Sequence, residues 1–202
     1  MSAATAPVTH APPLLWAAAR ALIVTIFNLF GDPGAIAALH THRKSERRLL
    51  LKWLRAGEAL MRHLLLIEAA HCAKPNPQPL ANKRLLNKRT RRLMSFEADK
   101  PEAWRVTFRC LSSQHRRSSS GGARGREKRF HSAWPLAERA EAMLRAFNHP
   151  EAYAKRLARR LCATPHRAAG LTRHPENLPH LIDDFAAFSQ AADAARRRFE
   201  SG

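Results

Sequence analysis

Negative charge is what this chain has least of: 16 Asp and Glu stand against 35 Lys and Arg in 202 residues, a formal net charge of +19. Cysteine is scarcer still in number, at 3. Cys72, Cys110 and Cys162 lie far apart with no CxxC pair, which excludes a disulfide framework and the usual zinc spacing and fits a reducing compartment. One Tyr, 4 Trp and 9 Phe leave Ala and Leu to supply most of the apolar content, a balance that suits helices better than sheets. There is no glycine-rich phosphate loop, and no nucleophile stands in a recognisable pattern with a base, so no catalytic residue is assigned and no enzyme activity is expected. No Lys or Arg precedes Arg20 and no small-residue cleavage site follows a clean apolar run, so no secretory signal is expected.

The charge that is present is concentrated. Residues 43–131 hold 23 basic and 7 acidic groups, whereas residues 1–42 carry only Arg20 against Asp32. A middle of +16 attracts polyanions whatever the fold, because cations beside a phosphate backbone or an anionic lipid surface release condensed counterions.

Leu14–Phe30 is the one strongly apolar stretch. Its nine Leu, Ile, Val and Phe contribute about −3 to −5 kcal/mol on an insertion scale, and Arg20 near the centre costs roughly +2.5 to +3.5. The sum is close to zero. Arg20, Val24 and Asn28 recur at i, i+4 and i+8, along one edge of a helix whose other faces are apolar. The balance favours a buried or interfacial core helix over a membrane span.

The expected architecture is mainly α, a bundle of amphipathic helices with a short β-hairpin as an option and a disordered basic insert. Residues 1–13, small and proline-containing, read as a disordered lead-in, and residues 14–72 as an N-terminal helical block. Gly31 closes its first helix and Asp32-Pro33 opens the next, which the pattern carries to Cys72. Within it Leu50, Trp53, Leu54, Leu60, Met61 and Leu64 share one face and Arg48, Lys52, Arg55 and Arg62 another. Residues 73–111 form a proline-containing, basic middle. There Trp104–Leu111 alternates apolar and polar residues and predicts a strand, paired with Leu93–Phe96 across a turn at Pro101. Residues 112–129, rich in Ser, Gly and Arg, have nothing to bury and read as disordered.

Residues 130–202 form a C-terminal helical block. Trp134-Pro135 opens a helix, Asn148-His149-Pro150 breaks it, and a second helix covers Glu151–Leu161. His166–His180 reads as a loop. Leu181, Phe185, Phe188, Ala192, Ala195 and Phe199 then make a heptad seam, short enough to pack on the chain's own helices rather than on a partner.

Candidate binding residues follow from the charge. Lys155, Arg156, Arg159 and Arg160 form a basic stripe on the second helix of the C-terminal hairpin, and Arg116, Arg117, Arg124 and Arg126 lie in the insert, whose GGARGR run has the Arg-Gly character of RNA-contacting tails. These eight are the expected nucleic-acid contacts, made to backbone phosphates without sequence readout, since few aromatics stand near the basic zone to stack on bases. His40-Thr41-His42 is the nearest approach to a metal pair, but i and i+2 on a helix diverge and no third ligand stands at a recognised spacing, so neither a metal nor a cofactor is expected. The reading is a cytoplasmic, non-enzymatic protein that binds nucleic acid. Its rivals are a peripheral or single-span inner-membrane protein anchored by residues 14–30, and an adaptor for an acidic protein partner.

Overall fold

A computed structural model of the chain describes residues 10–72, 100–111, 130–172 and 185–200. Six α-helices and one two-stranded antiparallel sheet make up the regular structure among these residues, so the fold is mainly α. Helix α1 spans Pro13–Phe30 and buries Leu15, Ala19, Leu22, Ile23 and Ile26, a stripe at helical spacing. Arg20, Val24 and Asn28 are all exposed on its other side, as their spacing predicts. The helix ends where Gly31 adopts φ +85, its N–H donating to the Phe27 carbonyl at 2.8 Å. Glycine is required there twice over, because a Cβ would also lie 2.8 Å from the Ala35 Cβ. Asp32 then accepts the Ala35 N–H at 2.7 Å and caps α2, Pro33–Ala38, with Pro33 in the first position.

The helix predicted from Pro33 to Cys72 is not continuous. His40 takes a left-handed conformation, φ 54, and Thr41–Arg43 forms strand β1 before α3 begins at Lys44. Strand β2, Phe130–Ser132, pairs with it antiparallel in the register Thr41↔Ser132, His42↔His131 and Arg43↔Phe130. The Ala133 N–H donates to the His40 carbonyl at 2.9 Å. These groups lie about 90 residues apart in sequence, so no local pattern announces their pairing. The predicted strand at Trp104–Leu111 is absent: after a short 3-10 turn at Pro101–Ala103 this segment has no ladder, and its expected partner, residues 93–96, lies outside the described residues. Its alternation nevertheless reports burial faithfully. Trp104, Phe108 and Cys110 are buried and Arg105, Thr107 and Arg109 exposed.

Helix α3, Lys44–His71, is the axis of the molecule. Its first half is amphipathic, with Leu50, Trp53 and Leu54 buried and Arg48, Lys52 and Arg55 exposed. From Ala56 to Ala69 it is buried on nearly every side, against α1, α4 (Trp134–Asn148), α5 (Pro150–Ala163) and α6 (Phe185–Glu200). Each fully buried Leu of this stretch contributes about 1.5 to 3 kcal/mol of transfer free energy. Two carboxylates are carried into this environment and both are paired. Glu58 accepts Arg139 Nε at 2.6 Å and its second nitrogen at 2.8 Å, tying α3 to α4, and Arg62 at 3.1 Å in the expected i, i+4 pair. Glu68 accepts the backbone N–H groups of His10 and Ala11 at 2.9 to 3.0 Å and the Trp16 indole at 3.3 Å. The chain from His10 onward is therefore held on α3 and is not the disordered lead-in expected through residue 13; residues 1–9 lie outside the described residues.

Helices α4 and α5 form the predicted hairpin, broken at His149-Pro150. In α6 the seam residues Phe188, Ala192 and Ala195 are buried against the chain's own helices, as expected; Leu181 lies outside the described residues. Near its end Arg198 donates to His71 Nε2 at 3.0 Å, while His71 Nδ1 stands 2.9 Å from the Ile67 carbonyl, an arrangement that assigns the ring proton to Nδ1. The expected loop at 166–180 begins as a 3-10 turn, Pro165–Gly170, with 173–180 outside the described residues.

Gly57 marks a close approach of α3 to α4. A Cβ there would lie 2.6 Å from the Met143 sulfur and 3.5 Å from Ile26 Cδ1, and Met143 is fully buried. Gly57→Ala is therefore expected to lower stability in urea unfolding by about 1 to 2 kcal/mol, overpacking outweighing the gain in helix propensity. In a Met143→Ala background the same substitution is expected to stabilise. Stabilisation in the parent background would show that this contact is not tight.

Candidate nucleic-acid interface

Three segments bring cations to the neighbourhood of Phe108 and Tyr153. Helix α3 brings Arg62, whose guanidinium lies over the Phe108 ring at 5.9 Å. The 104–111 segment brings Arg105 and Arg109, which alternation turns outward while Phe108 and Cys110 pack inward. Helix α5 brings Arg156 and Arg160. Phe108 meets Tyr153 edge-on at 6.4 Å, and Arg156 covers the outer face of that tyrosine at 5.2 Å. Phe108 and Tyr153 thus form a floor for two arginines, Arg156 held by the ring alone and Arg62 by the ring and by Glu58 at 3.1 Å.

The field of these groups is felt at Cys110. Burial pushes its thiol up to about 11, against the opposing pull of Arg62, Arg160 and Arg156. Cys72 is also raised, chiefly by burial, with Lys155 acting in the opposite sense and Glu68 and Glu151 adding to the rise.

The predicted stripe on α5 divides into two edges. Tyr153, Ala154, Leu157, Ala158 and Leu161 are buried, and successive residues step by about 100° around the helix. Arg156 and Arg160, one turn apart, lie with Arg62 around Cys110, Arg156 over the Tyr153 ring. Lys155 and Arg159 lie on the far edge, where Lys155 is paired with Glu151 at 3.5 Å. Among the described residues no carboxylate is ion-paired with Arg156, Arg159 or Arg160. Arg116, Arg117, Arg124 and Arg126 lie outside the described residues. Sequence reasoning missed Arg62, Arg105 and Arg109 as members of the patch; the period-two alternation of 104–110, read as a burial pattern, was the available signal for the last two.

His40, Thr41 and His42 do not form a metal pair. His42 turns inward, buried opposite His131 with Nδ1 3.9 Å from the Glu46 carboxylate, while His40 is exposed. No group of three potential metal ligands occurs among the described residues. In comparison with known proteins the chain matches no family model, no curated protein and no solved structure.

Thiol chemistry checks the buried floor. At pH 8 Cys162, which is exposed, is expected to react first with a disulfide reagent and Cys110 only on unfolding. The folded state keeps the Cys110 proton up to about 11, whereas the unfolded thiol releases it near 9.0. Between these values the unfolded state binds fewer protons, so stability is expected to fall as pH rises from about 9 to 11, a fall that Cys110→Ala removes. Early modification of Cys110 in the folded protein would contradict the packing of Phe108 and Cys110.

Proposed function

We propose that this protein is a non-enzymatic, cytoplasmic nucleic-acid-binding protein that contacts backbone phosphates without reading sequence. The observation that carries this reading is the gathering of Arg62, Arg156 and Arg160 around Phe108, Tyr153 and Cys110, with Arg105 and Arg109 exposed on the segment that carries Phe108 and Cys110, in a chain whose residues 43–131 hold 23 basic and 7 acidic groups. Arg156, exposed and held by a ring rather than a carboxylate, keeps donors directed outward, where a phosphate can accept two of them at once. Cations presented in this way bind by counterion release, which depends on the number of phosphates neutralised and not on base identity.

A second reading has its own support. Among the described residues helix α1 belongs to the one helical stretch, Pro13–Ala38, that is long and apolar enough to cross a membrane, and only 28% of its most apolar window is buried. Leu14 is 81% exposed, Leu29 57% and Val24 49%. A peripheral protein with α1 in the interface and the basic surface against anionic headgroups fits these values. An acidic protein partner would be attracted by the same charge.

Titration of fluorescent duplex and single-stranded probes at several salt concentrations tests the first reading. Log K is expected to fall linearly with log salt, by about 0.9 per phosphate neutralised on duplex DNA, and to be indifferent to shuffling of the probe. Replacing Arg105, Arg109, Arg156 and Arg160 together by Gln should reduce that slope by about 3 to 4 with no change in melting temperature, all four being exposed. Lys155→Gln should leave it nearly unchanged. Absence of binding tighter than roughly 10⁻⁴ M at physiological salt would overturn the reading, and tight binding to anionic vesicles in its place would establish the second.

A further inference from the structure

The β1–β2 ribbon carries an aromatic side chain that the fold leaves uncovered. Phe130 is 58% exposed, although its backbone is fixed by pairing with Arg43 and the ribbon continues at once into α4. Side chains alternate across a ribbon. His42, buried, and His131 lie on its inner face, so Thr41, Arg43, Phe130 and Ser132, all exposed, share its outer face. Arg43 stands directly opposite Phe130, with Cβ atoms about 5 Å apart in such a pair. Beyond β1 the first turns of α3 add Arg47, Arg48 and Lys52, the last two exposed.

We propose that this outer face is a stacking platform for single-stranded nucleic acid, an unpaired base lying on Phe130 with its neighbouring phosphate on Arg43. The proposal rests on the phosphate-binding reading above and names the form of the ligand. A base in a duplex has both faces covered by its neighbours, so an outward ring offers it nothing; an unpaired base exposes a face that the ring can cover. The cation opposite supplies the charge that a strand brings with every base, and the Thr41 and Ser132 hydroxyls on the same face can donate to a further phosphate oxygen. A lipid surface suits this face less well. Its remaining residues are Thr41, Ser132 and Arg43, which give an inserting phenylalanine no apolar surround.

The test uses the full chain with oligo(dA), a duplex of the same length and phosphatidylglycerol vesicles as probes. Phe130→Ala is expected to weaken oligo(dA) binding about tenfold at fixed salt, with the salt slope and the duplex affinity unchanged, because a base contact is lost and no phosphate contact. Phe130→Trp should keep the affinity, and the added indole should be quenched when oligo(dA) binds, a readout that does not depend on how well the alanine variant folds. If both Phe130 variants match the parent on oligo(dA) and no quenching occurs, the platform is wrong while salt-dependent binding by the parent leaves the phosphate reading standing. If the parent binds neither nucleic acid, both fall. Loss of vesicle binding by Phe130→Ala without loss on oligo(dA) overturns the proposal in favour of a lipid surface.

Discussion

Enclosure of the second half of α3 by four other helices is the constraint on which the remaining structure depends. A carboxylate carried by a helix that is buried on nearly every side from Ala56 to Ala69 needs partners inside the protein, since an unpaired one there would cost several kcal/mol. Glu58 and Glu68 show how this is met. The first takes a forked pair of hydrogen bonds from Arg139 and a further one from Arg62, and so fixes α4 against α3. The second gathers two backbone N–H groups and an indole from the start of the chain, and so fixes α1. Gly57, next to the first of these anchors, lets Met143 approach the axis.

The same enclosure decides where the cations go. Two of the described arginines, Arg62 and Arg139, are consumed by Glu58, and Arg145 by Glu141 and the carbonyls of Pro101 and Glu102. With so few carboxylates, Arg105, Arg109, Arg156 and Arg160 are left at the surface without a carboxylate partner among the described residues. Arg62 links the two regimes, its nitrogen on Glu58 and its guanidinium plane over Phe108. The polyanion proposed as ligand supplies from outside the negative charge that the sequence does not contain.

Much of this was legible from local chemistry. Gly31 followed by Asp32-Pro33, and His149-Pro150, placed helix boundaries correctly because each acts through backbone geometry within a turn. The periodicity of α5 and α6 identified their buried faces, including Phe188, Ala192 and Ala195, and so exposed the cations of α5. What failed to show depends on contacts distant in sequence. The left-handed turn at His40 and the pairing of Thr41–Arg43 with Phe130–Ser132 have no signal within either segment. Alternation at Trp104–Cys110 records that one side faces a core, and the other side could equally have been a strand edge or, as found, an unpaired segment lying on Phe108 and Tyr153 contacts. Arg62 came beside Phe108 and Cys110 only through that tertiary placement.

Protection of individual arginines from phenylglyoxal in the presence of a saturating oligonucleotide, read by mass spectrometry, tests the central claim most directly. The account predicts protection at Arg105, Arg109, Arg156 and Arg160 with little change at Arg167 and Arg197. Unaltered modification of the first four, or protection confined to the last two, would contradict it.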